Sequence, residues 1–139
     1  MKAMIIGAAG FVGGYLIREL RSAGWEVCAT CLPSETISEE CDVRSLDILE
    51  QGQIKPLLDD VRPDVIYHLA AQSSVSVSWK RPQLTAEINI IGTINVLEAV
   101  RETGRDDLRV LLIGSGEEYG FIREGACPLN ESEPLNPGN

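Results

Sequence analysis

MIIGAAGFVGG, residues 4–14, joins an apolar run to a helical repeat through three evenly spaced glycines. Met4-Ile5-Ile6 is too short for a helix, whereas Val12, Leu16, Ile17 and Leu20 recur at helical spacing up to Gly24, a C-cap residue. Gly7, Gly10 and Gly13 sit at the joint as a G-x-x-G-x-x-G. Glycines there permit a tight turn, admit a pyrophosphate to the backbone and let the helix pack close to the sheet, while free N–H groups face the anion. The pattern is weak alone. A strand before it and a helix after it supply the context that the dinucleotide-binding reading requires.

Beyond this joint, short apolar runs alternate with helical periods. WEVCAT (25–30) reads as a second strand, 33–40 as an exposed Pro/Ser/Glu-rich loop, and a short strand falls within 41–46. Ile54, Leu57, Leu58 and Val61 mark a helix that is expected to begin late, because Pro56 suits only a first turn, and to end at Arg62-Pro63. DVIYHLAA (64–71) is a nearly continuous apolar strand, as where both sheet faces are covered. A long helix from Pro82 to about Gly104 presents Ile88, Ile91, Val96, Leu97 and Val100, and RVLLIG (109–114) reads as another buried strand before a terminal loop. This order predicts an α/β, Rossmann-like doubly wound parallel sheet, truncated after about the fifth strand, with ligands beyond the carboxyl ends of the strands.

Composition narrows the function. A chain of 139 residues is one domain in length, and 44% hydrophobic with 24% charged residues is ordinary for a globular protein. Net charge is −9, and no basic cluster exceeds Trp79-Lys80-Arg81, so nucleic acid and anionic membranes are not the expected partners. The uncharged run 3–17 is shorter than the roughly 20 residues that span a bilayer and lacks a signal-peptidase site, which favours a cytoplasmic protein. Cys28, Cys31, Cys41 and Cys127 include one C-x-x-C, but no second pair or histidine partner completes a metal site, so buried or incidental thiols are expected and no metal.

The remaining candidates stand at strand ends. The second strand closes on Ala29-Thr30-Cys31, so Thr30 is a candidate cofactor contact. Neither the acid that usually holds the adenosine ribose nor a nearby Arg is present, which leaves NAD or NADP open with a lean to NADP. Asp47 could accept from an adenine amino group or could simply initiate a helix. His68, the only histidine, lies within an apolar strand and is expected to pack in the core. Ala70-Ala71 would let a flat cofactor approach, and Gln72-Ser73-Ser74 supply polar groups beyond, or are merely a polar loop.

GAAGFVGG (7–14), HLAAQSSV (68–75), NIIGTINVLEAV (89–100) and GSGEEYG (114–120), in this order, resemble the extended short-chain dehydrogenase/reductase family of nucleotide-sugar epimerases, dehydratases and reductases. Within it, HLAAQSSVSVSW with IGSGEEYG is most similar to the enzymes of GDP-mannose modification, with a lean to the GDP-4-keto-6-deoxy-mannose reductases over the 4,6-dehydratases. The resemblance implies that Gly7, Gly10, Phe11, Val12 and Gly13 hold the pyrophosphate, Asp47 and Ile48 contact adenine, and Leu69, Ala70 and Ala71 line the cofactor. It places Ser115 as the catalytic Ser/Thr on the substrate oxygen and Glu117 as the elimination base of dehydratases. Ser73, Ser74 and Glu118 then fall among the substrate contacts, Glu118 standing where many relatives have an apolar residue. A nucleotide sugar is the implied partner.

The family relays a proton through a Y-x-x-x-K pair. Four residues after Tyr15, Tyr67 and Tyr119 stand Glu19, Ala71 and Arg123, so none makes the pair. The resemblance therefore makes the chain the incomplete, cofactor-binding part, ending at Asn139 before the tyrosine and the substrate domain. By itself it is expected to be inactive, and its exposed sheet edge is expected to promote a homo-oligomer. The alternative is a non-catalytic dinucleotide-binding or sensor domain in which Ser115 and Glu117 only cap a strand.

Overall fold

The apolar runs are strands, and every pairing between them is parallel. In the computed structural model, which describes residues 1–122 and 128–138, β1 is Lys2–Ile6, β2 Glu26–Cys31, β3 Asp42–Ser45, β4 Val65–His68 and β5 Arg109–Leu112. They form one sheet in the order β3-β2-β1-β4-β5. The chain thus winds outward from β1 in one direction and then, from β4, in the other, as a doubly wound α/β fold does. Arg123, Cys127 and Asn139 lie outside the described residues.

The two-residue period of β1 splits it between two cores. Met4 and Ile6 point to one face and pack with Ile54, Leu58, Ile66 and Val96; Ala3 and Ile5 point to the other, with Ile17, Leu20, Val27 and Ala29. Helix α1, Phe11–Ser22, covers the second face, and α2, Gln51–Val61, shares the first with α5, Thr93–Glu102. The same period separates Cys28 from Cys31. Three positions apart on β2, they face opposite sides of the sheet and cannot hold one ion. Cys28 is buried beside Asp42, and burial pushes its thiol up to about 12, which makes it an inert packing residue.

Four expectations change. Helix α2 begins at Gln51, so Pro56 lies in its interior and not its first turn. An interior proline costs ~3 kcal/mol or more, but Pro56 is exposed, so the Gly52 carbonyl it deprives of a partner meets water. Burying Ile54, Leu58 and Val61, at roughly 1.5–3 kcal/mol each, outweighs that cost. The long helix is composite: α3, Val75–Lys80, was not foreseen; α4, Pro82–Ala86, leads through a π-helical turn, Glu87–Gly92, into α5. That wider turn shifts the helix phase. Gly92, Val96 and Ala99 are consequently buried, whereas Ile91 and Leu97 face outward.

Strand β5 is the sheet's edge and not a buried strand: Leu111, Leu112 and Ile113 are about half exposed, because β4 is its one neighbour among the described residues. The 33–40 segment is only partly exposed. Ile37 joins the α1-side core, and Glu39 folds back on α1, where a Cβ on Gly14 would lie 2.6 Å from its carboxylate.

Candidate functional site

The strand order reverses between β1 and β4, and the carboxyl ends of these neighbours form the crevice in which such sheets take ligands. The turn leaving β1 is built around Gly7, whose φ is +82°. A Cβ there would sit 2.6 Å from the Ala70 Cα and N, so the glycine turn and the Ala70-Ala71 segment meet backbone to backbone. Thr30 fixes the turn from the other side. Its carbonyl accepts from the Ala8 N–H at 2.8 Å, and its hydroxyl faces the Gly7 N–H at 3.4 Å. Fully buried, Thr30 reaches a ligand only through the turn it holds.

Gly13 has a different reason. A Cβ there would lie 1.9 Å from the Ala8 carbonyl oxygen, so α1 can sit against the β1 exit only without a side chain. At Gly10 a Cβ would meet nothing nearer than 3.6 Å; here the missing side chain leaves the approach from outside open. The N–H groups of Ala9, Phe11 and Val12 have no partner among the described residues, at the positive end of the α1 dipole. A diphosphate fits such a turn: three donors without a partner among the described residues, and a cradle that a Cβ would fill. Phe11 and Val12 contribute backbone, since the Phe11 ring is 85% exposed and leans on Tyr15.

On the β4 side, Leu69 extends the strand pairing by donating to the Ile6 carbonyl at 2.9 Å, and Ala71 is exposed at the crevice rim. Asp47 does not cap α2. Its carboxylate accepts from the Leu49 N–H at 2.9 Å in the preceding turn. The Ile48 side chain is buried against Gly92, where a Cβ would stand 2.5 Å from it, and its carbonyl accepts from Asn95 at 2.9 Å. Ile48 therefore offers a ligand little beyond the backbone.

A polar network that sequence reasoning missed holds the segment after β4. Gln72 N–H donates to Asn89 Oδ1 at 2.7 Å, Asn89 Nδ2 returns to the Gln72 carbonyl at 3.0 Å, and the Gln72 amide reaches Thr85 at 3.0 Å. Asn89 lies in the π-helical turn, a form of helix frequent at functional sites. The signal was present: Asn89 and Thr93 are four apart in an otherwise apolar stretch, hence on one helix face. Ser73 and Ser74 are exposed beyond it.

Thr93 also fixes the state of His68. Its hydroxyl donates to the Asn89 carbonyl at 2.8 Å, so it accepts from His68 Nε2 at 3.1 Å. The neutral form of His68 therefore carries its proton on Nε2, and Nδ1 is buried without a partner among the described residues. Burial pushes the imidazole below its ordinary pKa of 6.5. The unfolded chain thus binds a proton there before the folded one does, and stability present above pH 6.5 falls as pH drops below it. Because His68 is the only histidine, denaturant unfolding at steps between pH 7 and pH 5 should show decreasing stability; a flat or rising profile would contradict its placement.

Ser115 and Ala71 stand equally far past the paired Leu112 and His68, so β5 delivers Ser115 beside the same crevice. Ser115 caps a 3₁₀ turn, Gly116–Tyr119, by accepting from the Glu117 N–H at 3.2 Å; its own hydroxyl proton is left to donate. Glu117 and Glu118 are exposed on this turn, and the Glu118 carbonyl accepts from the Asn136 N–H at 2.9 Å. The glycine turn, the Ala70-Ala71 segment and Ser115 thus come from three neighbouring strands. Thr30 and Ile48 are held in the protein interior behind them.

Comparison with known proteins agrees with the fold. Residues 4–139 match the family model described as GDP-mannose 4,6 dehydratase. GDP-mannose 4,6-dehydratase of Vibrio cholerae is 30% identical, over 98% of this chain and 40% of its own length. UDP-glucose 4-epimerase of Mycolicibacterium smegmatis is 33% identical, over all of this chain and 46% of its own. The chain therefore spans less than half the length of these curated relatives. The crystal structure of Thermus thermophilus UDP-glucose 4-epimerase in complex with NAD superposes with a TM-score of 0.86 at 29% identity, covering 99% of this chain and 45% of that one.

Proposed function

This chain belongs to the GDP-mannose 4,6-dehydratase family, and we propose that it is the dinucleotide-holding portion of a nucleotide-sugar enzyme acting at the sugar C4. The observation that carries this reading is the Gly7 turn, pressed against Ala70 with three unpaired amides, next to Ser115 at the end of β5. Bound NAD or NADP supplies hydride exchange. Ala9, Phe11 and Val12 would hold the diphosphate by backbone N–H groups, Asp47 would accept from the adenine amino group, and Leu69, Ala70 and Ala71 would border the nicotinamide. Ser115 would donate its free hydroxyl proton to the substrate oxygen. Glu117, with its side chain in solvent, is available as the base of an elimination, and Ser73, Ser74 and Glu118 would meet the sugar or its diphosphate.

The family match and the V. cholerae relative support GDP-linked sugars, with GDP-4-keto-6-deoxy-mannose reduction or GDP-mannose 4,6-dehydration as the reactions we propose. The test uses the protein in its full natural length, incubated with NAD or NADP and either sugar nucleotide. Turnover of one of them is expected, and Ser115→Ala should lower kcat by about 10²-fold or more. Turnover of neither, or a Ser115→Ala enzyme with unchanged kcat, would contradict the reading.

The β5 edge adds an assembly expectation. Exposed Leu111, Leu112 and Ile113 form an apolar edge of the kind that pairs with other chains. This chain should self-associate in light scattering, and Leu111→Lys with Ile113→Lys should shift the mass toward the monomer. A monomeric mass for the unchanged chain at all concentrations would remove this expectation.

A further inference from the structure

The short turn that carries Ser115 and Glu117 has little of its own to hold it. Gly116–Tyr119 is a single 3₁₀ turn closed by bonds within itself: the Glu118 N–H donates to the Ser115 carbonyl at 3.2 Å, and the Gly120 N–H to the Glu117 carbonyl at 3.0 Å. None of its four residues is buried. A turn this short, with no side chain in the core, belongs to the low-stability end of a fold. Its one hydrogen bond to a distant segment, among the described residues, comes from Asn136, whose N–H donates to the Glu118 carbonyl at 2.9 Å.

The segment that brings Asn136 there is built to be stiff. It starts from a turn in which Asn130 accepts the Ser132 N–H on its side chain at 2.9 Å and the Glu133 N–H on its carbonyl at 3.1 Å. Pro134 and Pro137 follow, each fixing its own φ and disfavouring helical backbone at the residue before it, Glu133 and Asn136. The 3₁₀ turn receives this strap at Gly120. With φ +65° and ψ −138°, Gly120 holds a conformation that suits glycine alone. A Cβ there would lie 1.9 Å from the Asn136 carbonyl oxygen and 3.1 Å from its carbonyl carbon. Backbone angle and space thus each exclude a side chain at the point where strap and turn cross.

We propose that the strap, through the Asn136 N–H and the close approach at Gly120, holds Ser115 and Glu117 in place for the reaction, which makes Gly120 and Asn136 positioning residues of the site. This rests on the nucleotide-sugar reading above. Ser115 caps the turn and Glu117 lies within it, so a shift of the Glu118 carbonyl moves both relative to the crevice. The glycine turn follows β1, two strands away from β5, and makes no hydrogen bond to the strap among the described residues. The strap therefore bears on the chemical step and not on dinucleotide affinity.

The test compares kcat with the NAD dissociation constant in the protein of full natural length, for the unchanged sequence, Gly120→Ala, Asn136→Pro and Asn136→Ala. Asn136→Pro removes the N–H that the Glu118 carbonyl accepts, whereas Asn136→Ala keeps it and alters only the side chain. Gly120→Ala and Asn136→Pro should each lower kcat on the order of tenfold or more, as a small misplacement of reacting groups does, with the NAD dissociation constant unchanged. Asn136→Ala, the conservative variant, should restore most of the rate lost in Asn136→Pro. Asn136 is exposed, so its variants decide the matter even where Gly120→Ala does not fold. An unchanged kcat in Asn136→Pro or in folded Gly120→Ala overturns the proposal. So does Asn136→Ala as slow as Asn136→Pro, or a loss of NAD affinity as large as the loss in kcat. Turnover of neither sugar nucleotide by the unchanged protein overturns the nucleotide-sugar reading itself and this assignment with it.

Discussion

Replacing Gly13 with valine is expected to leave no folded protein. The first atom of any side chain at this position falls 1.9 Å from the Ala8 carbonyl oxygen and 2.5 Å from its carbonyl carbon. Both are backbone atoms of the β1 exit, so no rotamer change relieves the clash. Moving α1 away would pull Ile17 and Leu20 out of the core they share with Ala3 and Ile5. Losing their burial, at roughly 1.5–3 kcal/mol per side chain, removes a large part of the ~5–15 kcal/mol that holds a domain together. Insoluble product or a featureless near-UV spectrum is the expected readout. Gly52→Ala is the control: a Cβ there meets nothing within 4 Å, and on helix propensity alone the variant should gain about 0.5–1 kcal/mol. A soluble, native-like Gly13→Val protein would show that α1 does not depend on that close approach.

Gly7→Ala is expected to keep the fold and lose the ligand. Alanine at φ +82° is strained, at a cost of about 1–2 kcal/mol, and its Cβ would overlap the Ala70 backbone at 2.6 Å. The turn and the Ala70-Ala71 segment must therefore separate. Relief is available because both lie at strand ends and not within the sheet. Stability should fall by about 2–3 kcal/mol, and dinucleotide affinity by more than tenfold as the Ala9, Phe11 and Val12 amides lose their common aim. Unchanged affinity would mean that the diphosphate binds elsewhere.

The sheet could be read from the sequence because each strand carries its own apolar run and each joint its own turn residues. MIIGAAGFVGG states strand, turn and helix within eleven residues, and the structure adds only which carbonyl forbids a side chain at Gly13. Contacts between distant segments were not legible in this way. Nothing local shows that Thr30 anchors the Gly7 turn, that Ile48 fills the space left by Gly92, or that Glu35 folds back to the tip of β2. Local rules failed where the surroundings outweighed them. Pro56 is tolerated inside α2 because its face meets water, and RVLLIG looks buried only to a reading that cannot see which strand lies at the edge. The π-helical turn escaped because an apolar stripe of period 3.6 has no mark for one added residue, although Asn89 and Thr93 on one face hinted at a polar contact.

The candidate site divides along the same line. The glycine turn was readable from spacing, and Ser115 and Glu117 from the resemblance, since each follows an apolar run directly. Their common crevice follows from the strand order, in which β1, β4 and β5 are successive neighbours. Asn89, Thr85 and Thr93, which hold the Gln72 segment, could be assigned only once the helix and that segment were seen together.

An amide-resolved NMR titration of the chain with NAD bears most directly on the central claim, that the β1 turn holds a dinucleotide diphosphate. The Ala9, Phe11 and Val12 resonances should shift together with those of Ala70 and Ala71 and saturate with a single dissociation constant. Resonances of the β1 turn that stay in place at millimolar NAD, whether or not amides elsewhere move, would contradict it.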